Sequence, residues 1–154
     1  MSPIPILIVD DEQAFTEILA QRLGKRGFAV KTATDGNTGL RLLIDDESIE
    51  VVILDIAMPG MDGIETLKTM KKDRPLVEAI MLTGKGTVNT AVESIKWGAF
   101  NYLQKPCNIE DLCVFIEEAV KHRRNRQARI LDVRMTPYLT VEKREELIAA
   151  ILKE

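Results

Sequence analysis

Four apolar runs in this 154-residue chain end abruptly in residues capable of chemistry. Ile4–Val9 runs into Asp10-Asp11-Glu12, Val51–Leu54 into Asp55, 77–82 into Thr83-Gly84, and 100–103 into Gln104-Lys105-Pro106. Taken singly, each has an ordinary explanation: Asp11 could cap a helix, Asp55 could open a turn, and Lys105 could be a solvated strand end. Taken jointly, an acidic cluster with one hydroxyl and one lysine has the composition of a built site. Two carboxylates ~5 Å apart at an effective dielectric of ~20 repel by about 3 kcal/mol. Three of them cannot all stay ionised without a counter-charge. One lysine is a partial remedy. A hard divalent cation is the natural complement, and Mg²⁺ favours carboxylate oxygens, a backbone carbonyl and retained waters, especially beside a phosphoryl group. With such a metal in place Asp55 can act as a carboxylate nucleophile, while Lys105 and Thr83 offer charge and a hydrogen bond to phosphoryl oxygens.

The elements between these residues must bring them to one place. Val51-Val52-Ile53-Leu54 is long enough for a strand buried on both faces and too short for a buried helix, as a helix-covered parallel sheet requires. Pro59, Gly60 and Gly63 provide a tight turn behind it. Strand-like runs at Ile4–Val9, 29–33, Val51–Leu54, 77–82 and 100–103 alternate with segments of helical spacing. These carry Phe15, Ile18, Leu19 and Leu23, then Leu40, Leu43 and Ile44, then Ile64, Leu67 and Met70. Val88, Ala91, Val92 and Ile95 make a fourth, and Ile109, Leu112, Ile116, Ala119 and Val120 a fifth. Asp11 is expected to cap the first. Five strand–helix repeats predict a doubly wound α/β domain, a five-stranded parallel sheet with helices on both faces. In the order 2-1-3-4-5 the switch point falls between the first and third strands, which unites Asp10, Asp11 and Asp55.

Composition narrows the function classes. A net charge of −3 gives no reason to expect non-specific nucleic-acid binding. Cys107 and Cys113 fit neither a disulfide framework nor a Cys-x-x-Cys motif, and the lone His122 argues against a histidine metal site or triad. No run approaches the ~18 apolar residues of a membrane span, and no signal peptide is visible, so the expected location is cytoplasmic with no membrane partner.

Asp10-Asp11, the segment from Asp55 through Met58-Pro59-Gly60-Met61-Asp62-Gly63, Thr83-Gly84 and Tyr102-Leu103-Gln104-Lys105-Pro106 together closely resemble the receiver (CheY-like) domain of bacterial two-component response regulators. The resemblance covers residues 4–120 and sets a receiver domain at 1–124, with a C-terminal extension at 125–154. It implies that Asp55 is the phosphoacceptor, attacking a phosphohistidine on a sensor histidine kinase or phosphotransfer protein. It further implies that Asp11, Asp55 and the backbone carbonyl of Ala57 bind Mg²⁺ (or Mn²⁺), that Asp10 helps through water, and that Lys105 pairs with the phosphoryl group. The bond to Pro106 would be cis. Thr83 and Tyr102 would be the switch pair, with Tyr102 moving inward behind Thr83. Gly84 departs from a frequent alanine but is still small.

The same residues weigh against two alternatives. A flavodoxin-like cofactor binder needs a loop that cradles phosphate, and Asp10-Asp11-Glu12 would repel one. A phosphatase of the haloacid dehalogenase type needs an acid two residues past the nucleophile, where Ala57 stands. No enzyme beyond slow self-phosphorylation and self-dephosphorylation is expected. A receiver that never takes phosphate is disfavoured by the complete site.

The extension begins with a basic run, 121–129, read as a solvated helix end, since cations suit a helix C-terminus. Thirty-four residues after Val120 are too few for the usual DNA-binding output domain, so direct DNA binding is not expected. Residues 135–140 read as a turn and Val141–Leu152 as an amphipathic helix capped by Thr140, with Leu147, Ile148, Ile151 and Leu152 on one face. A helix this short needs an apolar surface to stay ordered. The expected surface is another molecule, an output protein or a second copy in a homodimer, reached through the 88–154 region.

Overall fold

The structure is a computed structural model and describes residues 2–154. Five parallel strands, β1 (Ile4–Val9), β2 (Phe28–Ala33), β3 (Val51–Leu54), β4 (Glu78–Thr83) and β5 (Asn101–Gln104), form one sheet in the order β2-β1-β3-β4-β5. Between them run α1 (Gln13–Lys25), α2 (Gly36–Asp45), α3 (Gly63–Asp73) and α4 (Val88–Lys96), followed by α5 (Ile109–Met135) and α6 (Val141–Leu152). Register pairs Val9 with Leu54 and Leu54 with Met81, so the first residues past β1 and β3 lie side by side. The doubly wound fold expected from the repeats is the one formed.

Strand alternation divides the core in two. Leu7, Val9, Val52, Leu54, Ala79 and Met81 face Leu43, Leu67 and Met70 of α2 and α3. Ile6, Ile8, Val51, Ile53, Ile80 and Leu82 face Leu19 and Leu23 of α1 and Leu112 and Ile116 of α5. Successive side chains of a strand point to opposite faces, so β3 must be apolar at every position, and all four of its residues are buried. On α4 the apolar residues have no such partner: Val88, Val92 and Ile95 are exposed, and only Ser94 is buried.

Three expectations need correction. Asp11 does not cap α1. The cap position is Glu12, without a side-chain bond, and Asp10 Oδ1 accepts the Glu12 N–H at 2.9 Å. The chain must clear the sheet edge before it can turn into a helix, so the helix starts after the acids. The basic run 121–129 is not a solvated helix end either, because α5 continues unbroken for 27 residues, about 40 Å at 1.5 Å per residue. Two carboxylates at the starts of β3 and β4 hold its side chains. Glu50 receives Arg123 Nη1 at 3.1 Å and Arg124 Nη2 at 2.9 Å, and buried Glu78 receives Arg126 and sits 3.0 Å from His122 Nδ1. Lys71 Nζ also lies 3.6 Å from Glu78, and burial lowers the Lys71 pKa despite that carboxylate.

The third correction concerns α6. Its bounds and its Thr140 cap, which accepts the Lys143 N–H at 3.1 Å, are as expected, but its apolar face meets the chain itself. After a turn in which Tyr138 has φ +74°, α6 folds back along α5. Ile151 is buried, and Ile148 and Leu152 line a cleft with Pro75, Leu76 and Ile130. Arg126 Nη1 donates to the Leu152 carbonyl at 3.1 Å, and Arg129 forks onto Glu154. These polar partners are 26 and 25 residues distant, which a periodicity argument does not reach. Removing a buried isoleucine side chain costs about 2–5 kcal/mol, more than a 12-residue helix can recover from its own hydrogen bonds. Ile151→Ala is therefore expected to speed amide hydrogen exchange across Val141–Leu152 while leaving the strands protected.

Candidate functional site

The strand ends do converge. Asp10 follows β1, Asp55 follows β3, Thr83 ends β4 and Lys105 follows β5, all on the carboxyl edge of the sheet. Asp10, Asp11 and Asp55 each present a carboxylate oxygen within 4.8 Å of the others. Asp10 and Asp55 are buried, whereas Asp11 reaches solvent. Asp55 is fixed through its backbone N–H, which donates to the Val9 carbonyl at 3.0 Å. The loop behind it returns tightly, with the Gly63 N–H donating to the Ile56 carbonyl at 2.9 Å. A Cβ at position 63 would stand 2.0 Å from the Asp55 carbonyl oxygen, so only glycine fits. Ala57 lies in this loop, half-buried, two residues beyond Asp55.

Lys105 is the cation of the site. Its Nζ is 2.7 Å from Asp10 Oδ2, 3.4 Å from Glu12 Oε1 and 4.0 Å from Asp55 Oδ2, and it lies 4.1 Å from the centre of the Phe15 ring. Burial alone would lower the Lys105 pKa, but the Asp10 bond and the charges of Asp10, Asp55 and Glu12 together raise it. For Asp10 the balance runs the other way. Burial, reinforced by the Asp55 charge, raises its pKa above the ordinary carboxylate value despite the bonds from Lys105 and the Glu12 N–H. One lysine thus compensates the acids incompletely. Asp55 Oδ1 is moreover buried with no hydrogen-bond partner among the described residues. An orphaned oxygen on a carboxylate clustered with two others fits a hard cation, which would complete its coordination and offset the repulsion.

Thr83 is fully buried, and its Oγ1 accepts the Lys85 N–H at 3.2 Å. A Cβ at Gly84 would meet Lys105 at an ordinary 3.9 Å, so glycine there is a tolerated choice and not a steric demand. Gly86 is the opposite case. A Cβ there would lie 1.6 Å from the Tyr102 hydroxyl, which is tucked against this loop and bonds Thr90 Oγ1 at 3.1 Å. The Lys105–Pro106 peptide is cis. Glu12, Phe15, Gly86 and Thr90 are the neighbours that motif reading does not single out. Glu12 adjoins the acid pair, but no spacing in the sequence links Phe15 to Lys105 or Thr90 to Tyr102.

A doubly wound sheet with an acid triad, a hydroxyl and a lysine along the carboxyl edge of its strands defines the receiver class. The chain belongs to that family: the response regulator receiver domain profile matches residues 6–117. It is 38% identical over 121 residues to a putative NtrX-like response regulator of Rickettsia felis, covering 77% of this chain and 25% of the relative. It is also 38% identical over 116 residues to the regulatory protein AtoC of Escherichia coli K12, covering 75% and 25%. The chain thus spans about a quarter of the length of the curated relatives it matches. Among solved structures, a CheY-like receiver domain of Methanospirillum hungatei superposes with a TM-score of 0.75 at 35% identity, over 80% of this chain and 98% of that one. NtrX of Brucella abortus, crystallised with ADP, gives 0.78 at 30% identity, over 90% of this chain and 31% of that one. The protein is a receiver domain of two-component signalling.

The charge balance around Lys105 leads to a stability test. Removing one partner of a buried ion pair costs about 3–5 kcal/mol, because the other charge stays behind uncompensated. Lys105 keeps 11% side-chain exposure, so Lys105→Met is expected near the lower end, about 3 kcal/mol at neutral pH without divalent metal. The loss should shrink as pH falls, because Asp10, whose folded-state pKa is raised, takes up a proton more readily when folded than when unfolded. Urea unfolding at several pH values measures both effects.

Proposed function

We propose that the protein is a Mg²⁺-dependent phosphoacceptor in a phosphorelay, taking its phosphoryl group on Asp55 from a sensor histidine kinase or phosphotransfer protein. The observation that carries this reading is the buried Asp55 Oδ1, unpartnered on a carboxylate that clusters with Asp10 and Asp11 and whose other oxygen lies 4.0 Å from Lys105 Nζ. Asp11, Asp55 and the Ala57 carbonyl would hold the metal, with Asp10 acting through water. When bound, the metal supplies positive charge against the phosphoryl oxygens. An Asp55 oxygen attacks the phosphorus of a phosphohistidine, the P–N bond breaks, and its electron pair returns to the imidazole. Lys105, 4.0 Å from Asp55 Oδ2, exchanges part of its contact with Asp10 for a phosphoryl oxygen, and the Thr83 hydroxyl donates to another. Ala57 brings no side-chain acid or base to the loop, so only slow self-hydrolysis follows.

A shift of Thr83 toward the phosphoryl group would be felt at once by Tyr102, because both pack against Gly86. The output then leaves through α4, β5 and α5, where Val88, Val92 and Ile95 are exposed beside the Tyr102–Thr90 bond. Apolar side chains suit a protein partner, an output protein or a second copy. NtrC of Salmonella typhimurium, 33% identical over 122 residues, carries the name of a DNA-binding transcriptional regulator, and the chain covers 26% of it. In this part of the molecule Arg123, Arg124, Arg126 and Arg129 are engaged by Glu50, Glu78 and Glu154, which favours protein over DNA as its direct contact.

Acetyl phosphate with Mg²⁺ should add one phosphoryl group to the wild-type protein and none to Asp55→Asn, as read by intact-protein mass spectrometry. Labelling of the Asn variant at the wild-type level would refute the assignment. Metal binding is separable from phosphorylation. At a free Mg²⁺ concentration ten times its Kd the expected stabilisation is RT ln 11, about 1.4 kcal/mol, a rise in Tm of about 3–6 °C for a chain of this size. Asp11→Ala should abolish most of that rise, and Lys105→Ala should keep it while labelling poorly.

A further inference from the structure

A second polar site lies at the opposite edge of the sheet, across the six residues of β4, about 17 Å at 3.3 Å per step. There the turn between α4 and β5, the middle of α5 and the end of α6 enclose a cleft of about 570 Å³, within the roughly 300–1,000 Å³ typical of small-molecule sites. Its charges do not cancel. Buried Glu78 lines it and is shared by Arg126 and Lys71, so these three side chains carry one net positive charge. Lys96 and Lys153, on α4 and just past α6, also line it and have no ion-pair partner among the described residues. The other acid of the lining, Glu154, is neutralised by Arg129.

Basic side chains therefore outnumber acidic ones around this cleft, Lys71, Lys96, Arg126 and Lys153 against Glu78 and Glu154, in a chain whose net charge is −3. Arg126 is 3% exposed, and its Nε has no hydrogen-bond partner among the described residues. The remaining walls include Trp97 and Phe100, flat apolar surfaces against which the carbon skeleton of a ligand can rest. Lysine point charges and a guanidinium donor are the groups that recognise phosphate oxygens.

We propose that this cleft binds a small, multiply charged anion of the phosphorylated-metabolite class, at a place separate from the phosphoacceptor. Lysines on two different elements favour a ligand carrying at least two negative charges over a monovalent one. Because Leu152, Lys153 and Glu154 form one wall, such a ligand would also bridge the extension to the receiver and hold α6 in its docked position.

Trp97 is the only tryptophan in the sequence and lines the cleft, so its fluorescence can follow binding. The whole 154-residue chain is titrated in EDTA with pyrophosphate and with fructose 1,6-bisphosphate, against sodium chloride at matched ionic strength. Without metal the acid triad at the other edge repels these anions. The expected result is a saturable change with Kd below about 1 mM for at least one probe. Binding should weaken at least tenfold, about 1.4 kcal/mol, in the double variant Lys96→Ala/Lys153→Ala. Both lysines are exposed, so that variant should unfold at the wild-type temperature. Absence of saturation, or titrations unchanged by the double substitution, would overturn the proposal. Saturation by an acidic peptide or an oligonucleotide but by neither small probe would overturn the ligand class.

Discussion

Repulsion among three carboxylates at the carboxyl edge of the sheet is the constraint on which the rest of the molecule depends. Asp10, Asp11 and Asp55 bring oxygens within 4.8 Å of one another, two of the residues are buried, and a single lysine faces them. A folded chain holds such a cluster only if the backbone beneath it cannot relax. Here the restraint is the parallel register of β1 and β3, which places Asp10 and Asp55 on adjacent strand ends, and the Asp55 N–H bond to Val9. The close approach of Gly63 to the Asp55 carbonyl locks the following loop against that end. Charge that Lys105 leaves uncompensated is what a hard cation would offset.

The opposite edge of the same sheet also buries carboxylates, and there arginines match them. Glu50 and Glu78 are buried at the starts of β3 and β4, where an unpaired carboxylate would be costly. Arginines of α5 satisfy them, and one of these, Arg126, also binds the last carbonyl of α6. The long helix is thereby fixed to the sheet at its middle, and the returning helix is fixed to the long one. β4 has Thr83 at one end and Glu78 at the other, so one strand joins the edge of the acid triad to the edge that holds the extension. Arg123, Arg124 and Arg126 of the basic run are counter-charges to the sheet.

The architecture and the candidate site were legible in the sequence for the same reason. Short continuous apolar runs and helical spacing fix the strand–helix alternation, and parallel strands deliver their C-terminal residues to one edge. In the order 2-1-3-4-5 Asp10, Asp11, Asp55, Thr83 and Lys105 fall on the ends of adjacent strands along that edge. The expected α6 and its Thr140 cap rest on equally local signals, a hydroxyl followed by an amphipathic dozen residues. Local signals also mislead. Asp11 looks like a cap because helix caps are short acids before a helical run, but the sheet edge required that acid first. Val88, Val92 and Ile95 have helical spacing, yet they face outward because only the Ser94 side of α4 packs inward.

The sequence by itself determined the secondary elements, their parallel order and the chemistry gathered at one edge, because these follow from periodicity and chain connectivity. Tertiary structure alone decided the partners that lie far apart in the chain. Phe15 lies against Lys105, Thr90 bonds the Tyr102 hydroxyl, and α6 packs on its own α5. It also joined Glu50 to Arg124 and Glu78 to Arg126, pairs separated by 74 and 48 residues. Side-chain pairing across such distances depends on where rigid elements place their ends in space. Burial then makes each pairing obligatory, since a carboxylate removed from water without a counter-charge would unfold the edge it occupies.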